Sequence, residues 1–155
     1  MRALLYRIDE RLIHGQVMAV WLGKIGANTV VIVDEVSAKD DFMKQVYQMA
    51  APANVKVECV GIEDFRAMMK EEDHAKAIIL FKGPKEAKAA LEAEIPAGEL
   101  IVGNVATAPG RIMYTKYAYF SKEEKEMLHT LQQLGWTVNM QRLPDENKIL
   151  FDKNN

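Results

Sequence analysis

Short apolar runs alternating with helix-period stretches constrain this chain more than any other feature. Thr29-Val30-Val31-Ile32-Val33 is a continuous β-branched run, the pattern of a strand covered on both faces. Further strand segments read at Ala3 to Tyr6, Val55 to Val60, Ala77 to Phe81 and Glu99 to Val102. Helical stretches separate them at Gln16 to Leu22, beyond Asp34, at Glu63 to Lys70 and at Lys85 to Ala93. That order predicts an α/β fold, a single-domain open and mostly parallel β-sheet with helices on both faces. From Asn104 to Phe120 the pattern loosens around Pro109-Gly110. Tyr114, Tyr117 and Tyr119 mark short strand pieces there, so a short antiparallel piece is expected near the C-terminus.

Local signals punctuate this frame. The first helix ends near Gly23 or Gly26, and Ser37-Ala38-Lys39-Asp40 has the spacing of a capping signal opening the next one. In that next helix Phe42, Val46 and Met49 fall on one face, and Pro52 marks its exit. Ser121-Lys122-Glu123-Glu124 is a capping box. Met127, Leu128, Leu131 and Leu134 follow as an apolar face, Gly135 as the C-terminal cap, and Trp136, Val138 and Met140 as a last alternating strand. With no repeat and no low-complexity tract, residues 1–151 are expected to form one domain and 152–155 a frayed tail.

At 155 residues, 49% hydrophobic and 27% charged, the chain has the balance of a globular domain. A formal net charge of −2 gives no electrostatic reason for nucleic-acid binding. No apolar run approaches the roughly 18 residues of a membrane span, and the start has no signal-peptide pattern, so a cytoplasmic location is expected. The single cysteine, Cys59, rules out an intramolecular disulfide and reads as a core thiol in an alternating strand. His74 and His129 lack metal-ligand spacing with His14, so no metal site is expected. No G-x-x-x-x-G-K-[ST] cradle is present, which argues against direct use of ATP, and no cofactor is expected. The nine methionines read as core filling, and Trp21 as packing against the sheet.

The chemistry concentrates in Arg7-Ile8-Asp9-Glu10-Arg11-Leu12-Ile13-His14-Gly15-Gln16-Val17, which places a histidine where the first strand gives way to a helix. A helix N-terminus offers unpaired N–H groups and partial positive charge, so an anion beside His14 would be stabilised. Arg11 adds a cation with fork geometry for phosphoryl oxygens, and the backbone amides of Gly15 and Gln16 are further donors. An unperturbed imidazole is mostly neutral near neutral pH, as a nucleophile must be. Asp9 reads as orienting Arg11 or Arg7, or bonding a loop amide, and Glu10 as balanced between a role and a solvated charge. Ligands of open parallel sheets bind beyond the strand C-termini, so Lys82 and Arg111 are candidates to join Arg11 on one rim.

The run RIDERLIHGQV followed by Trp21 resembles the phosphorylation-site loop of the enzyme IIB component of sugar phosphotransferase systems (PTS), in the mannose, fructose and sorbose family. VDEVSAKDD, IVGNVA and the terminal G-W-x-V with a Pro-Asp after it extend the resemblance over nearly the whole chain. It implies that His14 accepts a phosphoryl group from the IIA component and passes it to a sugar held by the membrane components IIC and IID. It also points to Nδ1 as the phosphorylated nitrogen. The sugar stays open among mannose, fructose, sorbose and amino sugars such as N-acetylgalactosamine. Two rival readings are a sensor whose phosphorylation only reports transport status and an α/β module that binds an anionic metabolite through Arg11.

Overall fold

The computed structural model describes residues 1–155, the Gln16 side chain apart. Nine strands and six helices follow one another in the predicted alternation. They are β1 (Arg2–Asp9), α1 (Gly15–Ile25), β2 (Thr29–Val33), α2 (Glu35–Ala38), α3 (Asp41–Ala50), β3 (Lys56–Val60), α4 (Ile62–Lys70) and β4 (Lys76–Phe81). Then come α5 (Pro84–Leu91), β5 (Glu99–Asn104), β6 (Ile112–Thr115), β7 (Ala118–Phe120), α6 (Lys122–Gln133), β8 (Thr137–Met140) and β9 (Ile149–Leu150). The main sheet runs β3-β2-β4-β1-β5-β8-β9; every pairing in it is parallel except β8 with β9. Strands β6 and β7 form a separate antiparallel hairpin.

Period-two alternation divides the core into two layers. From β4, Ala77, Ile79 and Phe81 enter one layer with Phe65 of α4, Leu91 of α5 and Leu128 of α6. Ile78 and Leu80 enter the other with Met18, Trp21 and Leu22 of α1, against which Tyr47 of α3 packs. Each fully buried aliphatic or aromatic side chain contributes roughly 1.5–3 kcal/mol. The helix after β1 therefore lies on one face, whereas those after both its neighbours, β4 and β5, lie on the other. The C-terminal end of β1 is thus a topological switch point, where open α/β sheets leave a crevice.

Some local expectations are corrected. Ser37 does not open a helix; it lies inside α2, donating its amide and hydroxyl to Asp34, the N-cap of that turn. The long helix α3 is capped by Asp40, whose carboxylate accepts the Met43 amide at 3.1 Å. Phe42, Val46 and Met49 do share a face, but it points outward, with Phe42 71% and Met49 84% exposed. Gln48 sits instead against the sheet edge: its amide donates to the Val55 carbonyl and its carbonyl accepts from the Val57 amide, both at 2.9 Å. These bonds occupy backbone groups that β3, an edge strand, would otherwise leave unpaired. Cys59 is buried, as its strand pattern predicts. Helix α1 ends on Gly26 in the left-handed conformation. Residues 152–155 lie along α6, with the Asp152 amide donating to Tyr114 Oη and Lys125 donating to the Asn155 carbonyl. Among the described residues, no helix is long and apolar enough to cross a membrane.

Candidate functional site

The loop between β1 and α1 is shaped by two apolar side chains. Leu12 (1% exposed) and Ile13 (6%) turn inward into the α1-side layer, which leaves Arg11 and His14 facing out. Burying Leu12 holds it at φ +56°, a left-handed conformation costly for a residue with a branched side chain, and its amide closes a turn on the Asp9 carbonyl at 2.9 Å. Gly15 takes φ +42°, and a Cβ there would meet nothing within 4 Å. Glycine is needed at this position for its conformation, not for space inside the protein.

Asp9, 1% exposed, is the hub of the site. Its Oδ2 lies 3.1 Å from His14 Nε2, and its Oδ1 accepts the Arg11 amide at 3.1 Å. Arg7 Nη2 stands 3.6 Å from Oδ2, and Arg11 Nε 3.7 Å from Oδ1. An ionised carboxylate only accepts, so the proton of this bond sits on Nε2, which in the neutral ring leaves the lone pair on Nδ1. His14 is the N-cap of α1, yet its side chain makes no capping bond, and no acidic residue occupies the first turn. The first-turn amides, those of Gly15 and Gln16 among them, have no intrahelical acceptor and remain available to an anion. The sequence expectation that Asp9 would orient an arginine or bond a loop amide is met, and the structure adds its bond to His14.

Arg7 is wholly buried. Its Nη1 donates to the Gln141 carbonyl at 3.0 Å and its Nη2 to that of Arg142 at 2.9 Å. Burial pushes its pKa down to about 10, partly offset by Asp9, so the fork stays charged near neutral pH. Its guanidinium lies over the Trp21 ring, 4.9 Å from the centroid, and Trp21 Nε1 donates to the same Arg142 carbonyl at 3.0 Å. Trp21 thus does more than pack: it ties α1 to the segment after β8. Gly103 makes room for this arrangement, since a Cβ there would fall 1.9 Å from Arg7 Nη2. Sequence reasoning missed the 141–142 segment because it contributes backbone carbonyls, which carry no residue signature.

The remaining rim candidates go elsewhere. Glu10 is a tether: its Oε2 accepts the Ala106 amide at 2.7 Å and its Oε1 accepts from Arg111 at 3.3 Å. Arg111 also donates to both Glu124 oxygens, at 2.9 and 3.0 Å, and to the Ala106 carbonyl at 2.8 Å. Lys82, Arg111 and Glu10 line a neighbouring cavity of about 350 Å³. Among the described residues, neither Lys82 nor Arg111 makes a hydrogen bond or ion pair with Asp9 or His14.

Fold and site together define an α/β domain that presents a histidine at the C-terminal rim of its sheet. The model of the PTS system sorbose subfamily IIB component matches residues 3–154, and the chain belongs to that family. It is 30% identical over 147 residues to the N-acetylgalactosamine-specific phosphotransferase enzyme IIB component 1 of Escherichia coli, covering 94% of this chain and 93% of that one. The crystal structure of that relative superposes with a TM-score of 0.91 over 97% of this chain and all of the other, at 29% identity. The crystal structure of manxB from Thermoanaerobacter tengcongensis gives 0.89 at 34% identity, covering 96% and 92%. A mannose-specific EIIAB component of Escherichia coli is 22% identical over 94% of this chain, which spans 46% of that relative. The chain is accordingly a IIB component of a sugar phosphotransferase system.

Proposed function

We propose that this chain, as one domain over residues 1–151, carries phosphoryl groups on His14 between a IIA component and a sugar held by the membrane components IIC and IID. The observation that carries the reading is the bond between Asp9 and His14 Nε2, which leaves Nδ1 as the free nucleophile. Nδ1 attacks the phosphorus of a IIA phosphohistidine. A new N–P bond forms as the donor's N–P bond breaks, and that electron pair returns to the donor imidazole. In the second half of the cycle a sugar hydroxyl attacks the same phosphorus and gives up its proton to solvent as the O–P bond forms, and the Nδ1–P pair returns to His14.

The transferring group spreads negative charge over its equatorial oxygens, so catalysis is mainly positioning and electrostatics. Arg11, with its side chain 49% exposed, is free to swing its fork onto those oxygens, while the amides of Gly15 and Gln16 meet them from the helix end. Asp9 bonds the ring through Nε2, away from Nδ1, so it orients the imidazole without facing the phosphate. The linkage of IIA and IIB in the mannose-specific EIIAB relative supports a IIA component as donor. Donor and acceptor need the same exposed histidine, so the encounters are sequential and brief, on the cytoplasmic side of the permease.

The test is incubation with phosphoenolpyruvate, the two general phosphotransferase proteins and a cognate IIA, followed by intact mass. One added phosphoryl group, acid-labile and alkali-stable, is expected in wild type and absent in His14→Ala. No addition from a demonstrably phosphorylated IIA would favour the anion-binding reading instead.

A further inference from the structure

Asp9 poses an electrostatic problem. It orients His14 through one oxygen, yet a lone carboxylate beside the ring favours the imidazolium, which has no lone pair to attack phosphorus. It would also hold Arg11, which the phosphoryl group needs. The charged groups around this pair are Arg7 from β1, Arg11 from the loop, and Arg142 and Glu146 from the segment before β9. Arg142 is engaged by Glu146 at 2.7 Å and by the Tyr117 ring at 4.5 Å. Arg7 is the one cation fixed against Asp9 by other bonds, those to the Gln141 and Arg142 carbonyls.

We infer that Arg7 is a positioning residue for transfer: it stands permanently against Asp9, so that Asp9 can hold the His14 ring while His14 stays neutral and Arg11 is released to the phosphoryl group. This rests on the phosphocarrier reading of His14. Its placement costs stability, because a buried guanidinium is expensive to desolvate and its Nε has no hydrogen-bond partner among the described residues. A chain that needed only to fill this space would be served by an apolar side chain. The two arginines divide the work: Arg7 is 0% and Arg11 49% exposed at the side chain, the first locked by carbonyls and the second meeting, among the described residues, only Asp9.

The test is an NMR titration of the His14 ring in the unphosphorylated protein, paired with the pH profile of phosphoryl transfer. Arg7→Gln keeps a donor for the carbonyls and removes the charge. It is expected to raise the His14 titration midpoint by on the order of one pH unit. Transfer near neutral pH is expected to slow about tenfold or more, and to recover in part at higher pH. Arg7→Lys keeps the charge and is expected to hold the midpoint near that of wild type. Should Arg7→Gln fail to fold, Gly103→Ala serves the same purpose by driving a methyl into the guanidinium's place, and the midpoint is expected to rise there too. A midpoint unmoved in folded Arg7→Gln or Gly103→Ala, or raised equally in Arg7→Lys, overturns the inference and leaves Arg7 a structural clamp. The titration needs no phosphoryl donor, so its outcome is separate from whether IIA phosphorylates the wild type.

Discussion

Arg11 and Arg111 stand on loops at the same rim of the sheet, yet their surroundings are opposite. Asp9 is a single carboxylate divided among Arg7, Arg11 and His14, so two arginines share one counter-charge there and Arg11 faces solvent. Arg111 meets two carboxylates, Glu124 and Glu10, and a backbone carbonyl; its side chain is 18% exposed. One arginine is left for a visiting anion, and the other is consumed in joining the β1 loop to the start of α6. An anion site is made by the ratio of cations to carboxylates, not by the number of cations on a rim.

That contrast breaks most readily at Arg11. Arg11→Gln is expected to slow phosphoryl transfer by about 10²-fold or more, the scale of losing one transition-state charge contact, with the melting temperature unchanged. Rapid-quench transfer from phosphorylated IIA measures it, and an unchanged rate would make the two arginines alike. Arg111→Gln should do the reverse. It leaves Glu124 and Glu10 short of their partner and is expected to cost about 1–3 kcal/mol in urea denaturation, with transfer altered less than about threefold.

A smaller effect sharpens the same point through pH. Burial raises the Glu124 carboxyl, but hydrogen bonds from Arg111 and from the Ser121 amide outweigh it and hold its pKa below the usual glutamate value. A group depressed in the folded state stabilises fully above its unfolded pKa, and that contribution is lost as pH falls through the folded value. Glu124→Gln is therefore expected to flatten the acid side of the stability curve, below the ordinary glutamate range, and denaturation midpoints across that range would show it. An acid limb as steep as that of wild type would remove Glu124 from the account.

The sequence was legible where information is local. The β-branched run at Thr29 to Val33 and the capping box at Ser121 act through neighbours in the chain and stand as read, and the R-I-D-E-R-L-I-H-G-Q-V loop does join the first strand to a helix, with His14 at the junction. What stayed hidden is non-local. Whether Arg111 is free depends on Glu10, far back along the chain, and the grip on Arg7 comes from carbonyls near the C-terminus. The face shared by Phe42, Val46 and Met49 shows a second limit, because helical periodicity names a face without saying which side of it is covered. Nothing in the sequence ties Gly103 to Arg7; only the fold shows the Arg7 guanidinium filling the place where its side chain would be.

The central claim is that Asp9 binds Nε2 so that His14 presents Nδ1. Correlated ¹⁵N–³¹P NMR tests it most directly, on the protein phosphorylated through the phosphoenolpyruvate chain and a cognate IIA. The account predicts one phosphoramidate, on Nδ1 of His14, with Nε2 still protonated toward Asp9. A phosphoryl group on Nε2, or one that persists in His14→Ala, would contradict it.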